Sequence, residues 1–591
     1  MSNCTIPRPE HPQPQWERKN WKNLNGAWDF EIDWAASGEA RGLIEAPSLA
    51  STIQVPFCPE APLSQVNVKD FMDCVWYKKT VSFTEEELQG NRVLFHIGAC
   101  DYETKVWVNG KSAGFPHKGG YTPVDYDITP LLTAGDNLIT IAAYDNIRSF
   151  QQPGGKQSAQ YGSYRCYYTR TTGIWQTVWY EIVPESYIKC AKITPDLENA
   201  SVLIEVDLCG QGDFSAEVFY EGKKVGEGKK KNKSVTAQME IFLSECHPWE
   251  LGNGRLYDLI LHFGQDEVKS YFGLRSIELR DGKFLLNGKS VFQRLILDQG
   301  YYHDGITTAP SDEALIKDIQ LAMAAGFNGA RMHQKVFEPR YIYHADRLGY
   351  MVWGEYGSWS MDITELESAA IYLPEWLESV RRDYNHPSVI GWCPFNETWD
   401  TNRHHPDKQM KAACPQVLRL IYEQTKLCDP TRPCIDTSGA YHVVTDIYDV
   451  HDYEQDPTVF KANYDRLVTE NYLHDKHHDN GNRQTWQGEP VFMSEYGGIG
   501  FKLEENNYQS QERKSSWSYG KTTTSYEEFY ERYRGLTHAM LDNPRMLGLC
   551  YTQLTDVEQE KNGLFEYETR KPKFDLEILA EIMKKKAAIE D

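Results

Sequence analysis

Two stretches carry residue types that could do chemistry. In residues 388–400 a β-rich run, Val389 to Phe395, ends abruptly in Asn396-Glu397, and Trp399 follows after a polar residue. In residues 490–498 a second short apolar run ends in Glu495. A buried strand that delivers a carboxylate at its C-terminal end suits a parallel barrel, where reacting groups sit at that end. Two strands, each tipped by one glutamate, match what cleavage of a glycosidic bond requires. One carboxyl protonates the leaving oxygen while the other attacks the anomeric carbon or activates water. Glu397 and Glu495 are therefore the candidate reacting pair.

The elements that must position this pair begin at about residue 280, where helical periods appear. Ser311 is placed to cap a helix whose first turn carries Asp312 and Glu313, favourable against the helix dipole. Leu315, Ile316, Ile319, Ala322 and Met323 give that helix one apolar face, and Gly326 ends it. Strand patterns fall at 291–297, 328–333, 350–356, 389–397, 434–438, 447–453, 491–496 and 547–554. Helical patterns follow most of them, at 339–348, 374–384, 415–428, 526–541 and 576–586. Eight such units in roughly 310 residues predict a (β/α)8 TIM barrel over residues 280–591, with no further domain after it. Other polar residues then fall at strand ends and should converge on one mouth: Asp298, Arg331, His333, Glu355, His451, Asp452, Tyr453, Gln553 and Asp556.

The first part of the chain reads as all-β. Asn25-Gly26, Asn109-Gly110 and Gly119-Gly120 punctuate short alternating runs, a strong hairpin signal. Residues 1–183 are expected to form a jelly-roll β-sandwich, and residues 184–279, with no helical pattern, an immunoglobulin-like β-sandwich. The stretch from Gln152 to Trp175, rich in Gly, Tyr and Arg, is long for a loop. Such loops either carry function or pack on a neighbouring domain, and both readings stay open. The lysine-rich run 228–233 lacks interleaved aromatics for base stacking and is read as a solvated hairpin tip.

Composition narrows the function classes. A net charge of -23 argues against a nucleic-acid partner, whose binding rests on Lys and Arg releasing counterions. The 13 cysteines are scattered and odd in number, which does not suit a disulfide framework. No CxxC or HExxH motif is present, so no metal and no cofactor is expected. No run approaches the ~20 apolar residues of a membrane span. The first ten residues lack the apolar core and cleavage site of a signal peptide, so a cytoplasmic location is expected unless a leader was removed.

The chain resembles glycoside hydrolase family 2, the β-galactosidase, β-glucuronidase and β-mannosidase group, over nearly its whole length. The resemblance rests on Leu24-Asn25-Gly26-Ala27-Trp28, Val106-Trp107-Val108-Asn109-Gly110, Thr172-Gly173-Ile174-Trp175-Gln176-Thr177, Phe395-Asn396-Glu397 and Ser494-Glu495-Tyr496. It implies an exo-acting retaining mechanism on an oligosaccharide or glycoside substrate. Glu397 would be the acid/base, its pKa raised by a neighbouring carboxylate, and Glu495 the nucleophile. Asn396 would bind the hydroxyl beside the anomeric carbon, Tyr453 would donate to the nucleophile, and Arg331 would keep it ionised. Trp359, Trp392 and Trp399 are candidates for sugar stacking, with Trp392 equally suited to barrel packing. Assembly into a homo-oligomer is also implied.

Departures from the family pattern narrow the substrate. Arg331 is followed by Met332-His333-Gln334 rather than by the usual later His-Tyr, so a sugar or metal role does not carry over to His333. The magnesium cluster of the large β-galactosidases is not recognisable. The Asn-x-Lys clamp of the glucuronidases is replaced by Gln559-Glu560-Lys561-Asn562-Gly563, and Glu560 should repel a sugar acid. A β-galactoside is the first expectation, with mannoside, arabinoside and galactofuranoside open. The competing classes are a carbohydrate-binding scaffold with a dead barrel and a metal-dependent hydrolase.

Overall fold

Alternation of apolar and polar residues builds the first sandwich. In the strand Asn91–Ile97, Val93, Phe95 and Ile97 are fully buried and the residues between them are not. The computed structural model describes residues 6–232, 234–398, 413–439, 441–476, 484–503 and 516–590. It packs Asn91–Ile97, between Val178–Pro184 and Val124–Asp127, against a second sheet built on Gly26–Ile32, Cys74–Phe83, Gly135–Tyr144 and Glu103–Val108. Asn109 and Gly110, with φ of 51° and 76°, turn the chain from Glu103–Val108 into Lys111–Ser112 as the Asn-Gly signal predicts.

The second sandwich sets the sheet Tyr187–Asp196, Ser201–Cys209 and Thr236–Phe242 against a four-stranded one ending in the strand Lys223–Asn232. The lysine-rich run is therefore an edge strand for most of its length, not a hairpin tip. Exposed lysines there discourage the edge from pairing with another chain. Arg18 joins the two sandwiches through buried ion pairs to Glu181 at 2.7 Å and Asp266 at 2.8 Å.

The rest of the chain is the TIM barrel. Its first strand, Gln293–Asp298, lies between the second, Gly329–Met332, and the eighth, Met546–Thr552. Parallel pairing runs on through Met351–Glu355 to Val389–Cys393 on one side, and through Val491–Gly497 to Tyr448–Asp452 on the other. The fifth strand pairs with the fourth in two short stretches, Cys434 with Trp392 and Thr437–Ser438 with Phe395–Asn396. Between them the buried Asp436 carboxylate accepts the amides of Val443 and Val444 and so holds the turn that follows. Pro339–Leu348, Pro415–Cys428 and Tyr526–Leu541 are helices as expected, and Pro457–Thr469 adds another. The helix expected at 374–384 begins earlier than its proline suggests, at Ala369, and carries Pro374 inside it. That proline removes one backbone hydrogen bond from the helix interior. The last helix, Leu576–Met583, stops short of the predicted 586.

One apolar cluster crosses the domain borders. Trp175 of the first sandwich and Trp249 of the second are buried with barrel residues such as Phe337 and Tyr350. The long loop packs on a neighbouring domain, one of the two readings the sequence left open. Gly154 and Gly155 donate their amides to the carbonyls of Trp359 and Gly357, each at 3.0 Å, so the loop is tied to the barrel mouth.

Candidate active site

Arg331 organises the mouth. It is one of the largest fully buried side chains, and its guanidinium reaches three strands. Its Nε donates to Glu355, one Nη to the Ser494 carbonyl at 2.6 Å and to Glu495 at 3.2 Å, and the other to Asn396 Oδ1 at 3.2 Å. Burial opposes the charge of Arg331, but Glu355 and Glu495 outweigh it and hold the group well above its ordinary range. His333 stands on the other Glu355 oxygen at 2.9 Å. Burial, then the nearby Lys156, push His333 far below its usual range, so it is a neutral ring donating through Nδ1.

Glu397 and Glu495 come to the same opening. Each offers a carboxylate oxygen, and His451 a ring nitrogen, with these atoms within 4.8 Å of one another. Asn396 and Glu397 are chain neighbours, and an unbroken strand would send them to opposite faces. Glu397 instead adopts φ of 48°, a left-handed conformation rare for glutamate, pinned by its amide bond to the Ser438 carbonyl at 2.8 Å. Tyr453 donates to Glu495 at 2.5 Å and stacks on Tyr519 with ring centres 3.5 Å apart.

The contacts of His451 bear on its protonation. Nδ1 lies 3.0 Å from Glu397 and 3.4 Å from Glu495, placed to donate to an ionised carboxylate. Nε2 lies 3.0 Å from Ser438 Oγ, whose own proton goes to Asp449 at 2.6 Å. Ser438, placed to donate to Asp449, is in turn placed to accept from Nε2, an arrangement that favours the charged ring. Burial works against that charge, but Glu495 and Glu397 raise the pKa. A metal ion on Glu397, His451 and Glu495 would have to displace the Nδ1 proton and sit beside the Arg331 charge.

The other expected residues divide. Trp359 is at the mouth, donating its indole N–H to the Asn396 carbonyl at 2.9 Å. Asp298 does not join the mouth. It shares its strand parity with Arg294, which binds Glu590 on the helical side, and its carboxylate is taken by the Gly300 amide and the Tyr341 hydroxyl. Burial and Asp318 push Asp298 up to about 6. Gln553 is fully buried and bonds Gln299 and Asn562 at 2.7 and 2.9 Å rather than the glutamates. Asp452 turns to Tyr464 and Lys476, and Asp556 to the Gly563 amide and Lys573. Trp392 lies on Gly354, where a Cβ would meet its ring at 2.6 Å, and faces the helices as packing. Trp399 lies outside the described residues.

Sequence reasoning missed Ser438 and Asp449, which support His451, and Lys156, which enters from the first sandwich. A serine or a lone lysine in a glycine-rich loop has no local pattern that announces such a role.

Three models of one family match the chain in order. They are "Glycosyl hydrolases family 2, sugar binding domain" over residues 21–151, "Glycosyl hydrolases family 2" over 186–275, and "Glycosyl hydrolases family 2, TIM barrel domain" over 277–514. The chain belongs to glycoside hydrolase family 2. This family 2 member is an exo-acting enzyme on O-glycosyl bonds, not a bare scaffold. Among its relatives, a beta-glucuronidase of Canis lupus familiaris is 24% identical over 546 residues, 80% of this chain and 77% of that protein. A beta-galactosidase of Leuconostoc mesenteroides is 24% identical over 499 residues, 72% of this chain and 43% of that protein. A solved Bifidobacterium dentium beta-glucuronidase, complexed with coumarin-3-O-glucuronide, superposes with a TM-score of 0.77 at 19% identity, covering 97% of this chain and 98% of that one. At that identity the likeness speaks to the fold of the family 2 hydrolase. No helix among its described residues is long and apolar enough to cross a membrane.

Proposed function

We propose that the protein is a retaining exo-β-glycosidase in which Glu495 attacks the anomeric carbon and Glu397 serves as acid and then base. The observation that carries this reading is the approach of the two carboxylates to within 4.8 Å in one mouth. Retaining enzymes keep the pair about 5 Å apart, whereas inverting ones leave room for a water. In the first step Glu397 gives a proton to the leaving oxygen as Glu495 forms a glycosyl ester. In the second, Glu397 removes a proton from water, which attacks the anomeric carbon and frees Glu495. Arg331, Tyr453 and His451 place donors on Glu495, favouring a carboxylate ready to attack. Among the described residues Asn396 Nδ2 is buried without a partner, available to the hydroxyl beside the anomeric carbon.

A neutral sugar, a β-galactoside first, is the reading we carry forward. A β-glucuronide is the second reading, favoured by the names of several relatives and by the ammonium of Lys156 at the mouth. A panel of nitrophenyl glycosides run on wild type, Glu495→Gln and Glu397→Ala tests both. Glu495→Gln is expected to abolish turnover. Glu397→Ala should spare activated leaving groups and recover with azide, giving a β-glycosyl azide. Activity that survives Glu495→Gln would overturn the mechanism.

A further inference from the structure

Lys156 is a buried charge that the proposed chemistry does not use. The residue is 6% exposed. Its ammonium lies 4.0 Å from the ring centre of Trp359, whose indole N–H in turn holds the Asn396 carbonyl. Among the described residues the ammonium makes no hydrogen bond or ion pair. A buried lysine normally finds partners for its donors, and Lys335 in the same region places two of its three on carbonyls. The loop that brings Lys156 in is built for this position. Its carbonyl accepts the Tyr168 amide at 2.8 Å, and the preceding Gly155 has φ of +54° with the Gln334 carbonyl where a Cβ would stand. No side chain other than hydrogen fits there, so the loop sits hard against the barrel.

The surroundings say what Lys156 would meet. Burial works to lower its pKa, but Cys166 and the carboxylates of Glu560, Glu495 and Glu397 outweigh that, and the group stays an ammonium. Glu560 is itself buried, its carboxylate held by the Tyr168 hydroxyl and by Asn562 at 3.1 Å. The positive charge of Lys156 thus already faces the carboxylates of Glu560 and Glu495. A sugar carboxylate placed there would be desolvated with no surplus cation to compensate it. A sugar hydroxyl needs only a donor, which Lys156 has free.

We propose that Lys156 is a specificity-determining residue that donates to ring hydroxyls of a neutral sugar in the glycone pocket, with Glu560 set to exclude a uronic acid. This rests on the retaining-glycosidase reading above. The test compares wild type, Lys156→Met and Glu560→Gln on nitrophenyl β-galactoside, β-glucoside, β-mannoside and β-glucuronide, alongside Glu495→Gln. Wild type should favour a neutral sugar over the glucuronide at least a hundredfold in kcat/KM. Lys156→Met, which keeps an unbranched side chain of similar length, should lose ten- to a hundredfold on that sugar, and Lys156→Arg should recover part of it. Glu560→Gln should raise the glucuronide-to-neutral ratio at least tenfold. Monodeoxy substrates lacking single hydroxyls give a check free of folding effects. One of them should be poor for wild type yet lose nothing further with Lys156→Met. The inference is overturned if Lys156→Met stays within twofold of wild type on every sugar, or if glucuronide is the preferred substrate. An inactive Glu495→Gln beside an unaffected Lys156→Met would sink this inference alone. An active Glu495→Gln would sink the mechanism beneath it.

Discussion

Replacing Tyr453 with phenylalanine removes one hydroxyl from the centre of the proposed chemistry and leaves the packing in place. The hydroxyl donates to Glu495 at 2.5 Å, and the ring stacks on Tyr519. Burial, then the Glu495 charge, hold the phenol well above its ordinary pKa, so it remains a donor across any assay pH. A hydrogen bond to a charged group contributes about 1.5–3 kcal/mol. If it orders the nucleophile and then stabilises the departing carboxylate, its loss should lower kcat/KM by roughly ten- to a hundred-and-fifty-fold. The assay is steady-state release of nitrophenol from the preferred β-glycoside, with and without azide. Azide replaces water assisted by the acid/base, so it should rescue Glu397→Ala and leave Tyr453→Phe slow. A Tyr453→Phe enzyme within threefold of wild type, or one that azide restores, would refute the placement of Glu495 as nucleophile.

Burial pushes Glu375 up to about 7 against the opposing bonds from Tyr356 and Tyr121. Its folded pKa thus exceeds the unfolded value, so the stability it contributes is complete below about pH 4.5 and lost as pH rises to 7, by about 3 kcal/mol. Glu375→Gln should gain in melting temperature over wild type across that window, read by differential scanning fluorimetry. Arg18→Met leaves Glu181 and Asp266 buried without their cation and should destabilise the sandwiches by about 3–5 kcal/mol. Urea denaturation should show the loss, while kcat/KM at 25 °C holds.

Much of this arrangement was legible in the sequence because it follows from period. Strands tipped by Glu397 and Glu495, Arg331 on the second strand and Tyr453 on the sixth could be placed from alternating and helical patterns alone. Parity within a strand was harder to use. Asp298 sits at a strand end like Glu355, but its register turns it to the helices. A shift of one residue decides which side a carboxylate serves. Long-range partners left no local mark either. Ser438 and Asp449 matter because they meet behind His451, and Lys156 matters because a loop from another domain crosses to the barrel. The left-handed turn at Glu397 was equally hidden, since nothing in Phe395-Asn396-Glu397 announces it.

The most direct test of the central claim is to trap the intermediate. A 2-deoxy-2-fluoro β-glycoside of the preferred sugar with a dinitrophenyl leaving group slows both steps, while the good leaving group keeps the first one usable. Intact mass spectrometry should show one fluoroglycosyl unit added per chain, and peptide mapping should place it on Glu495. Adduct on any other residue, or turnover that gives the inverted anomer with no adduct, would contradict the account.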